Sequence, residues 1–131
     1  MSTPLVCIAI LGALCFVLGL NVSLARMRAG VGSGCPDDPK APLHKAVRAH
    51  ANTIEYAPAL MLLIYIASQA QIASWVMWTM VVATACRVLI VIGIIGTRSL
   101  ARPNPMRFTG ALGTYITGLI LAGVVLNMAF V

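Results

Sequence analysis

Four long runs of apolar residues, separated by three polar stretches, organise the chain. The runs cover residues 5–25, 42–67, 72–96 and 106–131. A helix that crosses the hydrocarbon core of a bilayer needs about 20 residues, and each run reaches that length. The second run opens with charged turns and becomes apolar from Ala57 onwards, so we expect it to protrude from the bilayer. The pattern therefore predicts one all-α domain, an integral membrane four-helix bundle with a span in each run.

One of these runs also carries a regular pattern of small residues. Gly110, Thr114, Gly118 and Ala122 recur at every fourth position, which places them on one face of a helix. Small residues on a membrane helix allow another helix to approach closely. We therefore expect this face of the fourth helix to pack against a neighbouring helix.

Composition indicates a membrane protein, and it argues against nucleic-acid binding as the reason for the net charge of +6. The chain is 60% hydrophobic and 9% charged, and its mean hydropathy is +0.96, whereas a soluble domain carries about 25% charged residues. A nucleic-acid-binding protein would concentrate its basic residues on one exposed face, but here they lie between runs of membrane-spanning length. We therefore expect lipids as partners, and no nucleic acid.

The distribution of basic residues predicts an orientation in the membrane. The turn at residues 68–71 is uncharged, whereas the polar stretches before the second and fourth runs are basic. The basic residues in or beside these stretches are Arg26, Arg28, Lys40, Lys45, Arg48, Arg98, Arg102 and Arg107. Since cytoplasmic loops of membrane proteins are enriched in lysine and arginine, we expect both basic loops to be cytoplasmic. Both termini would then lie on the opposite side.

Two charged residues, Glu55 and Arg87, fall within the runs. Each costs roughly 2.5–3.5 kcal/mol at the centre of a membrane helix, so each needs a partner. For Arg87 an ion pair with Glu55 is the favoured interpretation. Glu55 also lies on one helical face with Arg48 and Asn52, because the three are spaced i, i+4 and i+7. A cation, an amide and an anion in a row could bind a small zwitterion or bind one another, and the sequence leaves both interpretations open.

Arginines at three helix ends suggest where a ligand would bind. Arg26 and Arg28 close the first run, and Arg107 opens the fourth. A single arginine at such a position usually anchors a helix at the interface by extending its charged end to water. Together with Arg48, these arginines converge on one membrane face above Glu55, which would attract a small anion that also carries an ammonium group. His50 points away from this face, and we expect it at the surface or in a subunit contact.

The segment from Arg48 to Pro58 reads RAHANTIEYAP and resembles the R-x-x-x-N-x-x-E-x-x-P motif of the MAPEG family, the membrane-associated proteins in eicosanoid and glutathione metabolism. The resemblance covers essentially the whole chain and is strongest to the small bacterial branch of the family. It implies a four-helix membrane protein that assembles as a homotrimer. It also implies that glutathione is the cofactor, bound between neighbouring subunits on the cytoplasmic side.

The same resemblance assigns roles to individual residues. Arg107 matches the arginine that lowers the thiol pKa in catalytic members, and a nearby guanidinium does stabilise a thiolate. The residues that match glutathione-binding or nearby basic positions are Arg26, Arg28, Arg48, Asn52, Glu55, Tyr56 and Arg87. Among them, Arg48 and Asn52 would hold the peptide, and Glu55 would meet its ammonium group.

Two functions remain open at this point. The first is a glutathione-dependent transferase or peroxidase that acts on lipophilic electrophiles delivered from the bilayer. The alternative is a non-enzymatic lipid-binding or accessory membrane protein of the same family. Ile90, Ile94 and Phe108 favour the alternative, because the family's enzymes often carry polar side chains at those positions.

Overall fold

The computed structural model describes residues 2–130, which form four α-helices in chain order. These are α1 (Thr3–Ala29), α2 (Pro42–Ala67), α3 (Ser74–Ile95) and α4 (Pro105–Met128). The predicted all-α four-helix architecture is confirmed. Helix α1 extends beyond its predicted run at both ends, and the last residue of the fourth predicted run, residue 131, lies outside the described residues.

Three of the four helices have the length and apolar character of a membrane span. These are α1, α3 and α4. Helix α2 is 26 residues long, but it carries three charged residues, Lys45, Arg48 and Glu55, which separates it from the other three. The set fits an all-α membrane bundle in which α2 carries more polar side chains than any other helix.

The start of α4 is fixed by a side-chain cap. The Oδ1 atom of Asn104 accepts hydrogen bonds from the backbone N–H groups of Met106 at 2.9 Å and Arg107 at 3.3 Å. Pro105 occupies the first helical position, where its missing N–H costs nothing and its φ angle suits a helix. The cap therefore holds Arg107 in the first turn of α4, at the membrane end that carries the basic loops.

The helices are arranged so that α2 and α3 each contact all of the other three. Within residues 2–130, the backbones of α1 and α4 do not approach each other, and the two helices occupy opposite corners of the bundle. Helices α3 and α4 approach closely at Gly110, where an added Cβ would lie 2.6 Å from Cγ1 of Ile90 and 2.9 Å from the carbonyl oxygen of Cys86. The small-residue face of α4 thus does pack against a neighbouring helix at Gly110, whereas Ala122 at its far end is exposed.

A polar layer divides the apolar interior. On α3, Met80 and Ala83 belong to one buried cluster and Ile90 and Ile94 to another, with Arg87 between them. On α2, Thr53 lies at the same level and is fully buried. Because Arg87 is 1% exposed, its guanidinium is shielded from water and depends on protein partners.

The two basic loops meet at one end of the bundle. The backbone N–H of Leu100 donates a hydrogen bond to the carbonyl oxygen of Pro39 at 3.0 Å. In addition, Nζ of Lys45 donates to the carbonyl oxygen of Thr97 at 3.2 Å. These contacts join the loop that precedes α4 to the loop and first turn of α2, so both helices begin at the same end of the bundle and run in the same direction.

Candidate functional site

A cavity of about 680 Å³ opens between α2, α3 and α4 at the basic end of the bundle. We call it the α2–α4 cavity. Its polar side chains include Arg48, Asn52 and Arg107, and its apolar wall is formed by Ile90, Ile94 and Phe108. Pockets for small molecules usually measure about 300–1,000 Å³ and combine apolar walls with a few polar groups. The cavity has the size and composition of a ligand site.

Arg107 enters this cavity with a fixed guanidinium group. Its Nη1 atom donates to the carbonyl oxygens of Leu100 at 3.1 Å and Arg102 at 3.3 Å. A guanidinium carries five N–H donors, so the Nε and Nη2 groups keep three donors for another partner. The loop thereby holds one edge of the guanidinium and leaves the other edge available to an anion.

The carboxamide of Asn52 is oriented by Arg87. Nη2 of Arg87 donates to the carbonyl oxygen of Asn52 at 2.7 Å and to its Oδ1 atom at 2.8 Å. Because a guanidinium only donates hydrogen bonds, the atom that faces it must be the amide oxygen. The NH2 group of Asn52 is then left for a ligand in the α2–α4 cavity. Asn52 is therefore set to recognise an acceptor, such as a carbonyl or carboxylate oxygen.

The predicted ion pair between Glu55 and Arg87 is wrong. Arg87 is 1% exposed, and its guanidinium bonds to Asn52 and lies 5.2 Å from the centre of the Tyr56 ring. Residues 52 and 56 are one turn apart on the side of α2 that faces α3, whereas Glu55 is exposed. Arg87 is not among the residues that line the α2–α4 cavity, so it acts on that cavity through Asn52.

Glu55 has no hydrogen-bond or ion-pair partner among the described residues. Its position on the outer face of α2 makes this costly in a membrane, where an ionised carboxylate must be paired or reach water. Arg48 is also exposed, but it lines the α2–α4 cavity. Of the face predicted from the i, i+4, i+7 spacing, Arg48 and Asn52 therefore line the α2–α4 cavity, and Glu55 does not.

A second aromatic residue, Tyr115, joins Tyr56 beside Arg87. The two hydroxyl oxygens are 3.4 Å apart and the ring centres 5.6 Å apart. Sequence reasoning missed Tyr115, although a signal was present. Tyr56 follows Arg48 by eight residues and Tyr115 follows Arg107 by eight, and two helices that start side by side bring such positions to the same level.

Arg26 and Arg28 lie away from the α2–α4 cavity. Arg28 lines a different cavity, of about 820 Å³, together with Lys45, and Arg26 lines a small groove at the end of α1. The backbones of α1 and α4 do not approach each other within residues 2–130, and neither arginine lines the cavity that Arg107 enters. The convergence expected from the sequence is therefore only partly formed inside a single subunit.

His50 also differs from expectation. Its imidazole packs against α1, where Cε1 lies 3.4 Å from the position that a Cβ on Gly19 would occupy. The Nδ1 atom is buried and has no hydrogen-bond partner within residues 2–130. His50 thus contacts α1 opposite a glycine inside the subunit, and it is half-buried rather than fully at the surface. A contact with another subunit stays a prediction.

Comparison with known proteins is consistent with this geometry. The model of the MAPEG family matches residues 4–127, which is nearly the full chain. A search of curated proteins finds no significant match. Members of the matching family are glutathione-related transferases and peroxidases or accessory proteins. The chain belongs to the MAPEG family.

Proposed function

We propose that this protein is a glutathione-dependent transferase or peroxidase that acts on lipophilic electrophiles. The observation that carries the proposal is the α2–α4 cavity, where Arg48, Asn52 and Arg107 line one space of about 680 Å³. All three present hydrogen-bond donors, and two are cations. Such a cavity suits a peptide that carries carboxylates and a thiolate.

The face of α2 matches glutathione in length and charge. Arg48 and Glu55 are seven residues apart, which is about 10 Å along a helix. Three extended residues span roughly the same distance. Arg48 would pair with a carboxylate, the NH2 group of Asn52 would donate to a peptide or carboxylate oxygen, and Glu55 would bind the ammonium group. This arrangement gives the exposed carboxylate of Glu55 the partner that it lacks in the subunit.

Arg107 would supply the chemical activation. Its available N–H groups would stabilise the thiolate, which is the reactive form of a thiol. In the transferase reaction the thiolate attacks an electrophilic carbon, a carbon–sulfur bond forms, and the leaving group departs with the electron pair. In the peroxidase reaction two glutathione molecules reduce a hydroperoxide to an alcohol and water, and they end as the disulfide.

The apolar wall would select the second substrate. Ile90 and Ile94 are buried against the α2–α4 cavity, and Phe108 is 69% exposed at its edge. These side chains offer no donor to a polar co-substrate, and they favour contact with hydrocarbon. A lipophilic electrophile dissolved in the bilayer would reach the thiolate along this wall.

The complete site would need a second subunit. We propose a homotrimer in which α1 of a neighbouring subunit brings Arg26 or Arg28 towards the α2–α4 cavity. The separation of α1 from α4 within one chain and the unpartnered Glu55 support this arrangement. With both basic loops in the cytoplasm, as expected from the positive charge of the loops, the site would open to cytoplasmic glutathione.

One observation favours the second candidate function, a lipid-binding or accessory protein. The Nη1 atom of Arg107 already bonds two loop carbonyl groups, so the residue could serve only to anchor the loop to α4. In that case the protein would bind lipid, and it would not activate a thiol.

A turnover assay with a matched arginine control separates the two candidates. The purified protein in lipid nanodiscs is supplied with glutathione and an aryl halide. We expect conjugation that falls about tenfold or more in Arg107→Ala, since one pKa unit is a factor of ten in thiolate stability. Arg98→Ala, which removes an exposed arginine outside the α2–α4 cavity, should keep full activity. Lipid binding without any conjugation by the wild-type protein would favour the accessory protein.

A further inference from the structure

The Tyr56–Tyr115 hydroxyl pair lies outside the α2–α4 cavity. Tyr115 is ten residues into α4, or about 15 Å from its basic end. The hydrocarbon core of a bilayer is about 30 Å thick, so the pair lies near its middle. Water is scarce at that depth, and a hydroxyl group there needs a partner from the protein or from a bound molecule.

The hydrogen-bond count leaves one donor unused. Two phenolic hydroxyl groups carry two hydrogen atoms, and the bond between Tyr56 and Tyr115 uses one. Either hydroxyl group can be the donor in this bond. Tyr115 is exposed and Tyr56 is half-buried, so an acceptor in the bilayer would meet Tyr115. When Tyr115 binds such an acceptor, Tyr56 donates the hydrogen bond between the two tyrosines.

Tyr115 also belongs to an exposed face of α4 that leads to the α2–α4 cavity. Phe108, Leu112, Tyr115 and Leu119 are spaced i, i+4, i+7 and i+11, and all four are exposed. Phe108 forms part of the cavity wall. The face is therefore an apolar track with one hydroxyl group, 49% exposed in Tyr115, partway along it.

We propose that the hydroxyl of Tyr115 binds a carbonyl oxygen of the lipophilic substrate, at a distance from the carbon that reacts with the thiol. The proposal rests on the proposed function and names the substrate class of that site. Arg107 and Tyr115 are eight residues apart, about 12 Å along α4. The substrate is accordingly a long-chain electrophile with a carbonyl group partway along its chain. Tyr115 sets specificity and does not take part in bond breaking.

An infrared measurement tests the contact without any turnover. A long-chain ketone with an isotope-labelled carbonyl is added to the protein in nanodiscs, and a hydrogen bond lowers the carbonyl stretching frequency. We expect a lowered band with the wild-type protein that is lost in Tyr115→Phe. The control Tyr65→Phe removes another exposed tyrosine hydroxyl, on the far half of α2, and should keep the band. An unchanged band in Tyr115→Phe overturns the proposal. The absence of a lowered band with the wild-type protein overturns it as well.

A turnover measurement tests the effect on specificity. Two alkyl bromides are compared, one with a ketone partway along the chain and one with a methylene group in its place. We expect kcat/KM to favour the ketone about three- to tenfold, the range for one neutral hydrogen bond, and to lose that preference in Tyr115→Phe but not in Tyr65→Phe. The thiol pKa of bound glutathione should not change. An equal preference in Tyr115→Phe contradicts the proposal. If the wild-type protein converts neither bromide, the proposed enzymatic function fails, and the infrared result still decides the role of Tyr115.

Discussion

Replacing Asn52 separates the two roles that the structure gives it. Its Oδ1 atom accepts a hydrogen bond from buried Arg87, and its NH2 group remains for a ligand. Asn52→Asp keeps an acceptor oxygen towards Arg87 and removes the donor. Asn52→Ala removes both. The first substitution should therefore weaken ligand binding while preserving the helix contact, and the second should weaken both.

The magnitudes follow from the contacts. In Asn52→Ala the 2.8 Å bond to Oδ1 is lost, but the 2.7 Å bond to the backbone oxygen persists. Hydrogen bonds to charged groups contribute about 1.5–3 kcal/mol, whereas interhelical bonds in membranes average about 0.6 and reach about 1.7. The unfolded chain in a membrane also finds partners, so the membrane scale applies. Because Arg87 is 1% exposed, we expect a value near the upper end of the membrane range. Asn52→Ala should therefore lower the free energy of unfolding by roughly 1.5 kcal/mol.

Asn52→Asp adds an attraction and a penalty. Opposite charges about 4 Å apart attract by roughly 4 kcal/mol at an effective dielectric constant of about 20. Removing a carboxylate from water costs several kcal/mol when it is fully buried, and Asn52 is only half-buried. We therefore expect Asn52→Asp to be at least as stable as the wild type. Its glutathione affinity should nevertheless fall about tenfold or more. The new carboxylate cannot donate a hydrogen bond to an oxygen of glutathione, and it repels the negative charge of the ligand.

Two assays on the same samples check this prediction. Unfolding in detergent gives the free energy of unfolding, and calorimetric titration gives the affinity for glutathione. If Asn52→Asp loses as much stability as Asn52→Ala, the side chain of Asn52 does not accept from Arg87 in the way that the geometry indicates. If Asn52→Asp binds glutathione as the wild type does, the NH2 group of Asn52 plays no part in recognition.

Two further predictions concern Glu55 and the contact of α3 with α4. Glu55→Gln should leave the stability of the subunit fold nearly unchanged, because Glu55 has no partner there, and should weaken glutathione binding about tenfold in calorimetry. Equal affinity in that variant would remove Glu55 from the site. Gly110→Ala should destabilise the protein by about 1–3 kcal/mol in detergent unfolding, the usual cost of overpacking, since the new methyl would lie 2.6 Å from Ile90. The control Gly123→Ala meets no atom within 4 Å and should be neutral or slightly stabilising, and equal effects of the two would refute the close contact.

The sequence predicted the helices well because their signal is local. Apolar runs of membrane length and the polar stretches between them define four helices without any knowledge of packing. The stop before α4 was also visible, since Pro103, Asn104 and Pro105 interrupt the pattern. The same pattern does not specify how far each helix is rotated towards its neighbours.

That missing rotation explains the error at Arg87. Glu55 is the acidic residue nearest in the pattern, and charge alone selects it as the partner. Position 55 is rotated by about 60° from position 52 around α2, which is enough to leave Glu55 exposed. The arginine therefore meets the amide of Asn52 and the ring of Tyr56 instead. The pairing depends on the facing of two helices that are 35 residues apart at these positions, and no local pattern records it.

The positions of Arg26 and Arg28 show a second feature that the sequence pattern does not predict, namely which helices are neighbours. The sequence predicts that they lie at the same end of the bundle as Arg107. The hydrogen bonds between the two basic loops agree with this prediction. Whether residues on one face share a site depends on which helices are neighbours, and α1 and α4 are not neighbours within residues 2–130. Their participation in the site is a property of the proposed trimer and requires a second chain.

The central claim is that Arg107 activates a bound thiol, and the pKa of that thiol tests it most directly. The thiolate absorbs in the ultraviolet, so a pH titration of the glutathione complex reports the pKa. A guanidinium stabilises the charged form, so the pKa should lie well below the free cysteine value of about 8.5. Arg107→Ala should raise it by about one unit or more, equivalent to about 1.4 kcal/mol, while Arg98→Ala leaves it unchanged. A pKa that stays the same in Arg107→Ala, with unaltered turnover, would contradict the account and leave Arg107 as an anchor of the loop.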